Sequence, residues 1–333
     1  MKAYVFSLSP VEERFFQEWE DQHADDEIKY TTSPLTDDTV DLTKGFDAVS
    51  VQQMEQIKDE KIYKALADNG IKHLAIRQVG VDIVDLKLAK KYGIVVSNVP
   101  AYSPRAIAEN GLTGAMYLLR KWGYYHRKMR RGDFTRPVEL MSDEIFNQTV
   151  GIVGLGRIGS AAAELYHALG ARVIGYDPVY NASLEPFLDF VDLETLIKTA
   201  DIIQLHIPLT KDNVGMFSAN EFAEMKDDAI IVNESRGELI DTKALIVALK
   251  YHEIGGAALD VLEGESKIFG RKFEDVGSLP EDYTDLINMP NVVMSPHSAY
   301  YTKMAVKNMF FQSMTDIQRT LDGQAAIFQV KYE

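Results

Sequence analysis

The chain has no cysteine among its 333 residues. That absence excludes disulfide bonds, cysteine nucleophiles and zinc sites built on thiolates. Long apolar runs are absent too, since none approaches the roughly 18 residues that a helix needs to span a bilayer. The apolar run at the N-terminus is too short for a secretory signal peptide. We therefore expect a cytoplasmic protein with no membrane partner.

Positive charge is scarce, because 35 Lys and Arg residues face 50 Asp and Glu residues and give a formal net charge of −15. A chain this acidic is a poor partner for nucleic acids and anionic membranes. A small anionic substrate is still possible, since a local arginine can outweigh a distant surface field. The motifs of serine hydrolases, zinc proteases and P-loop enzymes are absent, and we expect no bound metal.

A glycine-rich segment is the strongest local signal in the chain. Residues 149–153 are typical of a buried strand, and Gly154, Gly156 and Gly159 follow it with the spacing of a dinucleotide-binding fingerprint. These glycines allow a tight turn, a close approach of the backbone to a pyrophosphate, and close packing of helix on strand. The next apolar run ends at Asp177, whose carboxylate could accept from a ribose 2′-hydroxyl and would repel a 2′-phosphate. The segment favours NAD over NADP, with an ordinary βαβ turn lacking any ligand as the alternative.

Strands and helices alternate along the whole chain, which predicts an α/β fold with parallel sheets. The length suggests two domains, with the helix from Ser103 as the candidate boundary. The predicted strands cover residues 2–8, 46–51, 73–77, 94–97, 149–153, 172–177, 201–206, 229–233, 255–260 and 292–295. The predicted helices cover residues 12–22, 57–67, 85–92, 103–120, 160–170, 241–250 and 302–321. Residues 121–136 are a basic, polar segment followed by a loop. The long polar stretch 263–291 is predicted as a loop, and a loop of that length is usually functional.

Ligand sites in open α/β sheets lie beyond the carboxyl ends of the strands. That rule selects the turns at Val79, His206, Arg236, Asp260 and His297. An arginine fork matches a carboxylate and stays charged, so Arg236 is either a substrate anchor or a surface residue, at even odds. Histidine is the usual proton carrier near neutral pH, although a lone histidine is more often structural.

A carboxylate beside His297 would stabilise the protonated imidazole that a reductase needs as its proton donor. Two carboxylates lie in the loop after the strand that ends at Asp260, namely Glu263 and Glu265. The residues alone do not choose between them.

Several motifs together resemble the D-isomer-specific 2-hydroxyacid dehydrogenase family, most closely its D-lactate dehydrogenase branch. The most telling are Asn233-Glu-Ser-Arg-Gly237 and Pro290-Asn-Val-Val-Met-Ser-Pro-His297. The resemblance covers nearly the whole chain, with further matching segments at residues 77–82, 98–104, 106–109, 151–159, 176–178, 206–208, 239–241 and 255–265.

The resemblance implies two Rossmann-like or flavodoxin-like domains with parallel sheets. Residues 1–101 plus 299–333 would form a discontinuous substrate-binding domain. Residues 102–298 would form an inserted NAD-binding Rossmann domain and the interface of a homodimer.

The resemblance also implies roles in the reduction of a small 2-oxo acid to a D-2-hydroxy acid, with hydride passing between nicotinamide C4 and substrate C2. Arg236 would bind the substrate carboxylate and His297 would be the acid/base. Glu265, five residues after Asp260, would hold His297, which decides against Glu263. The expected substrate contacts are Val79, Gly80, Tyr102, Arg236, Gln52 and Tyr300. The expected NAD contacts are Gly154, Gly156, Arg157, Ile158, Gly159, Asp177, Ile207, Pro208, Asn213, Glu234, Ser235, Arg236 and Asp260.

Pyruvate is the first expected substrate. Two differences from the lactate-type relatives nevertheless leave the identity of the substrate's side chain open. Those relatives often carry an aromatic residue where this chain has Gln52, and a tryptophan after Asp-Phe-Arg where this chain has Thr135-Arg136 after Phe134. A larger acid such as 2-oxoisocaproate, phenylpyruvate or 2-oxoglutarate is therefore an alternative. A second alternative is a non-catalytic NAD-sensing protein, although the presence of Arg236, Glu265 and His297 argues against it.

Overall fold

The computed structural model describes residues 1–332, which divide into two compact units. The first unit contains residues 1–103 together with 301–332, and the second is Pro104–Tyr300. Each unit is built on a parallel sheet with helices, which confirms the predicted α/β fold. Among the helices of residues 1–332, none is long and apolar enough to cross a membrane.

The first unit has a five-stranded sheet in the order β2-β1-β3-β4-β5. Its strands are β1 (Lys2–Val5), β2 (Glu27–Tyr30), β3 (Ala48–Val51), β4 (His73–Ile76) and β5 (Val95–Ser97). Its helices are α1 (Glu13–Gln22), α2 (Glu60–Asp68), α3 (Leu86–Lys91) and α11 (Lys303–Leu321). The central strands β3 and β4 are buried along their whole length, as expected for parallel strands covered on both faces.

Local sequence explains where several of these helices begin. The side chains of Asp59, Asp85 and Thr302 cap α2, α3 and α11 by accepting backbone N–H groups that the first turn leaves free. Helix α1 buries Phe15, Phe16 and Trp19 on one face, as their spacing predicts.

The second unit has a seven-stranded sheet in the order β12-β11-β10-β9-β6-β7-β8. The strands are β6 (Thr149–Val153), β7 (Arg172–Tyr176), β8 (Asp189–Phe190), β9 (Ile202–Leu205), β10 (Ile230–Asn233), β11 (Gly256–Leu259) and β12 (Val292–Met294). The helices are α4 (Pro104–Leu119), α5 (Trp122–Arg130), α6 (Arg157–Ala168), α7 (Leu193–Thr199), α8 (Ala219–Glu224), α9 (Thr242–Lys250) and α10 (Glu281–Ile287).

The strand order places a topological switch point in this sheet. The chain runs outward from β6 through β7 and β8, then returns to the other side of β6 as β9. The carboxyl ends of β6 and β9 therefore diverge into a crevice, which is where open α/β sheets bind ligands.

Two segments for which no helix was predicted contain helices. Helix α5 lies within residues 121–136, and α10 lies within residues 263–291 together with two short 3-10 turns. The prediction of one long irregular loop at 263–291 was therefore wrong. Helix α10 buries Tyr283 and Leu286 against the core, so only part of this stretch is irregular.

Candidate active site

The glycine turn after β6 has the geometry that the fingerprint predicts. Gly154 has a φ of +93°, and a Cβ there would lie 2.6 Å from the carbonyl oxygen of His206. In α6, a Cβ on Gly159 would lie 1.9 Å from the carbonyl oxygen of Gly154. Within residues 1–332, nothing lies within 4 Å of a Cβ built on Gly156, at the N-cap of α6. The turn thus leaves open space at a helix N-terminus, a favourable place for a pyrophosphate.

Asp177, just after β7, is tied to this turn. Its Oδ2 accepts from the backbone N–H of Leu155 at 2.7 Å, and its Oδ1 accepts from that of Val179 at 2.8 Å. Each carboxylate oxygen can accept more than one hydrogen bond, so these bonds leave capacity for a ribose hydroxyl. The two fingerprint residues Arg157 and Ile158 begin α6, and Arg157 is exposed.

The segment after β9 completes the crevice. The Cγ2 atom of Ile207 would lie 2.7 Å from a Cβ on Gly154, so the segment packs on the glycine turn. Both ring nitrogens of His206 are buried without a hydrogen-bond partner among the described residues, and burial lowers the pKa of His206 to about 3. Asn213 closes the following loop, donating to the Pro208 carbonyl at 2.8 Å and accepting from the Thr210 N–H at 2.7 Å. The glycine turn and a neutral, buried imidazole fit a bound dinucleotide.

Arg236 lies on a rigid turn after β10. Asn233 donates through Nδ2 to the Arg236 carbonyl at 2.8 Å and accepts from the Ser235 N–H at 3.0 Å. The Ser235 hydroxyl donates to the Leu205 carbonyl at 2.9 Å, which joins the turn to β9. The half-buried Arg236 donates through one guanidinium nitrogen to the Ser235 carbonyl at 2.7 Å. Four hydrogen bonds between side chains and backbone thus fix the turn from which the arginine leaves the strand.

His297 is paired with Glu265. Its Nδ1 lies 2.6 Å from Glu265 Oε1, while the other carboxylate oxygen accepts from the Leu262 N–H at 2.9 Å. Burial opposes the charged imidazolium, but the hydrogen bond and charge of Glu265 and the charge of Asp260 outweigh it and raise the pKa of His297, against the opposing charge of Arg236. Since Glu265 engages Nδ1, the nitrogen left for proton exchange is Nε2.

The turn that carries His297 is organised by Asp260. His297 has a φ of +51°, a left-handed conformation that is uncommon outside glycine, and its N–H donates to the Asp260 carbonyl at 2.8 Å. The Asp260 carboxylate accepts from the Ser298 N–H at 2.8 Å, the Ala299 N–H at 2.9 Å and the Ser295 hydroxyl at 2.5 Å. Asp260, expected as an NAD contact, therefore holds the turn that carries His297, a role that its distance in sequence from His297 conceals.

Glu234 is a buried carboxyl group two residues before Arg236. It accepts from Asn110 Nδ2 at 2.8 Å and from Gln204 Nε2 at 3.1 Å. Burial, and to a lesser extent the charge of Asp260, raise its pKa to about 8 against these two hydrogen bonds. The structure thus gives Glu234 an internal environment that its expected role as an NAD contact did not suggest.

The remaining expected substrate contacts of the first unit lie at the carboxyl ends of its strands. Val79 is exposed after β4, and its carbonyl accepts from Asn98 Nδ2 at 2.7 Å. The carbonyl of Gly80 accepts from Gln78 Nε2 at 3.3 Å. Tyr102 is buried, and its carbonyl accepts from Asn308 at 2.6 Å.

Gln52 and Tyr300 are both half-buried. Gln52 follows β3 directly and precedes Gln53. The buried Gln53 amide accepts from the Leu35 N–H at 2.8 Å and donates to the Leu35 carbonyl at 3.1 Å, so it fixes the backbone beside Gln52.

A buried ion pair lies beneath the Val79 loop, and sequence reasoning missed it. Arg77 is fully buried and donates to Glu12 at 2.9 Å, to the Ser50 hydroxyl at 3.0 Å and to the Phe6 carbonyl at 3.0 Å. These bonds join the carboxyl ends of β1, β3 and β4 just before the loop begins. The sequence did contain one indication of this ion pair, because Arg77 follows directly after the buried strand β4.

The chain matches a family model described as "D-isomer specific 2-hydroxyacid dehydrogenase, NAD binding domain" over residues 112–299. It is 42% identical to a D-lactate dehydrogenase of Lactiplantibacillus plantarum over 334 aligned positions, covering 100% of each chain.

Solved structures are similar over the full length. The crystal structure of D-lactate dehydrogenase with NAD⁺ from Lactobacillus jensenii has a TM-score of 0.93 and 46% identity, with 100% of each chain covered. A structure of D-2-hydroxyisocaproate dehydrogenase has a TM-score of 0.91 and 36% identity, with 99% of each chain covered.

Proposed function

Because this chain belongs to the D-isomer-specific 2-hydroxyacid dehydrogenase family, we propose that it catalyses the NAD-dependent, reversible reduction of pyruvate to D-lactate. The family and the NAD cofactor predicted from the sequence are confirmed by these relatives. The observation that carries the proposal is the His297–Glu265 pair at 2.6 Å, close enough to Arg236 to feel its charge. A proton donor and a carboxylate anchor side by side are what reduction of a 2-oxo acid requires.

Arg236 binds the substrate carboxylate through its guanidinium fork and so orients the 2-oxo group. The backbone N–H groups of Val79 and Gly80 add further hydrogen bonds to that carboxylate, and Tyr102, Gln52 and Tyr300 border the substrate. The bonds from Asn98 and Gln78 to this loop support the role, because they fix the orientation of its peptide groups.

His297 donates a proton from Nε2 to the carbonyl oxygen as negative charge develops there. Glu265 and Asp260 raise its pKa, which favours the imidazolium form that donates this proton. In the reverse direction the neutral imidazole accepts the hydroxyl proton of D-lactate. Bound NADH supplies the hydride that reduces C2.

NAD binds to the second unit, within residues 102–298, while residues 1–101 plus 299–333 bind the substrate. The support is the open turn at Gly156 beside Asp177 and His206. The residues proposed to hold the cofactor are Gly154, Gly156, Arg157, Ile158, Gly159, Asp177, Ile207, Pro208, Asn213, Glu234, Ser235, Arg236 and Asp260.

A larger 2-oxo acid is the second candidate substrate. Two facts favour it: the similarity to D-2-hydroxyisocaproate dehydrogenase, and the half-buried Gln52 at the expected side-chain pocket. The mechanism is unchanged by this choice.

The test is NADH consumption by the purified protein with pyruvate, 2-oxobutyrate, 2-oxoisocaproate, phenylpyruvate and 2-oxoglutarate, and NAD⁺ reduction with D- and L-lactate. Preference for pyruvate together with oxidation of D-lactate alone supports the proposal. Preference for a larger acid leaves the proposed mechanism unchanged but replaces pyruvate as the assigned substrate. Tight NADH binding without turnover of any acid contradicts the proposed dehydrogenase activity and favours an NAD-sensing protein.

The protein is proposed to act in the cytoplasm as a homodimer joined through the NAD-binding unit. Residues 122–146 support the dimer, because they expose a series of large apolar side chains to solvent in a single chain. These are Trp122, Met129, Phe134, Val138, Met141 and Phe146.

A further inference from the structure

A polar cluster inside the second unit has no part in the proton transfer described above, although one of its members, Glu234, is among the proposed NAD contacts. It consists of Glu234 at the end of β10, Gln204 in β9 and Asn110 in α4. All three lie on the side of the sheet that α4 covers. Glu234 also lines a cavity of about 120 Å³ together with Asp260 and Ser295, whose turn carries His297.

The helix α4 is shaped to admit this cluster. A Cβ on Gly111 would lie 2.1 Å from Gln204 Nε2 and 2.4 Å from Glu234 Oε2. Any side chain at this position would displace both groups. The glycine, the two amides and the carboxyl group therefore form one packed arrangement.

Hydrogen bonding assigns the proton of the two neighbouring carboxyl groups. The Asp260 carboxylate accepts from two backbone N–H groups and one hydroxyl, so both of its oxygens have donors. Glu234 has only two amide donors and is almost fully buried beside that carboxylate. Two adjacent buried carboxylates repel each other, so Glu234 holds the proton. Gln204 Oε1 has no partner among the described residues, and if the amide is turned over it can accept a hydrogen bond from the protonated carboxyl group of Glu234.

The other groups facing Glu234 do not compensate its charge. Tyr166 from α6 is fully buried, its hydroxyl has no partner among the described residues, and burial raises its pKa. Tyr117 and Thr113 from α4 line the same cavity. No cation lines this cavity in the described part of the chain.

We propose that Glu234 is a positioning residue whose neutral carboxylic acid joins the Ser235–Arg236 turn to α4, and whose ionisation switches the dehydrogenase off at alkaline pH. The proposal rests on the dehydrogenase function proposed above. Once ionised, Glu234 repels Asp260, which holds the His297 turn, and pulls on the turn that carries Arg236. The added negative charge also opposes entry of an anionic substrate.

The oxidation of D-lactate separates this effect from the titration of His297. Oxidation needs neutral His297, so kcat/KM rises with pH through the pKa of His297. Ionisation of Glu234 then makes kcat/KM fall above about pH 8, by about tenfold per pH unit if the ionised form is inactive. We expect a bell-shaped profile in the wild type and loss of the alkaline fall in Glu234→Gln. An unchanged alkaline fall in that variant overturns the proposal.

Two further variants sharpen the result. Asn110→Ala removes a donor that favours the ionised form, so the alkaline fall should move to higher pH. Glu238→Gln makes the same chemical change at a half-buried glutamate four residues away and should leave the profile where it was. If Glu238→Gln abolishes the fall as Glu234→Gln does, the effect is not specific and the proposal fails.

A measurement without turnover tests the proton itself. Folded Glu234 binds its proton up to about pH 8, whereas the unfolded chain releases it near the ordinary value of 4.5. This group therefore makes the wild type progressively less stable as pH rises through that window. The Tm of Glu234→Gln relative to wild type should increase between pH 5 and 8 and stay level above it. A constant difference overturns the inference even if the wild type turns over no lactate, while absence of turnover alone contradicts only the proposed function.

Discussion

His297 acquires its properties from residues far from it in sequence. Glu265 engages Nδ1, and Asp260 holds the backbone in a left-handed conformation that presents the ring. Sequence motifs indicated the histidine, the arginine and Glu265, because these types recur at strand ends in the family pattern. The bonds from Asp260 to residues 295, 298 and 299 could not be predicted, since they depend on how the ends of β11 and β12 lie side by side.

The replacement His297→Ala removes the proton donor and separates an enzyme from a sensor. We expect turnover of pyruvate to fall by about 10²–10⁴-fold, because that is what a positioned acid usually contributes. NADH binding should persist, since no fingerprint residue changes. Stopped-flow turnover and fluorescence titration of NADH measure the two effects. Retained turnover in the variant would remove His297 from the mechanism.

The replacement Glu265→Gln tests what tunes His297. Reduction of pyruvate needs the imidazolium, so the activity falls as pH rises through the pKa of His297. Loss of the Glu265 charge lowers that pKa, and the fall should move to lower pH. The pH profile of kcat/KM for pyruvate measures the shift. Glu263→Gln is the matched control, because Glu263 is exposed two residues away and should leave the profile unchanged.

At the scale of helices and strands, sequence patterns found those elements whose apolar residues face a core. Helix α1 and ten of the twelve described strands belong to this group, whereas β2 and β8, which bury little, were not predicted. Helix α5 could not be found in this way, because it buries none of its residues and follows Lys121 in a left-handed conformation. Helices α7, α8 and α10 have six or seven residues each, too short to display a helical period.

The junction of β6 with α6 provides a matched pair of glycine replacements. Gly159→Ala places a methyl group 1.9 Å from a backbone oxygen, so helix and strand must separate at a cost of about 2–3 kcal/mol. Gly156→Ala meets no atom of the described chain within 4 Å, so its fold should survive. Its methyl group would nevertheless stand where the pyrophosphate approaches, and the Kd for NADH should rise at least about tenfold, or 1.4 kcal/mol.

Calorimetry and NADH titration distinguish the two variants. We expect a clear loss of Tm for Gly159→Ala and a loss of NADH affinity with little change in Tm for Gly156→Ala. Unchanged affinity in Gly156→Ala would contradict the proposal that the cofactor lies over the N-terminus of α6.

At the scale of the whole molecule, dimer formation must overcome the electrostatic repulsion between two acidic chains. Two copies of a chain with net charge −15 repel each other, so a stable contact needs apolar area or local positive charge. Residues 120–136 supply seven Lys and Arg residues, and residues 122–146 supply the exposed apolar side chains. No other stretch of the described chain combines both features over so few residues, which is why the dimer is proposed there.

The double replacement of Phe134 and Met141 by Glu tests this dimer. Each side chain is 74% exposed in the single chain, so the change should leave the fold intact while placing charges in the contact. Sedimentation should show the wild type at twice the chain mass of 37.4 kDa and the variant at that mass alone. Tyr251→Glu, at a residue 76% exposed on α9's C-terminal side, is the control and should sediment as the wild type. If the Phe134 and Met141 variant stays dimeric, the contact lies elsewhere; if the wild type is monomeric, the apolar residues of 122–146 need another explanation.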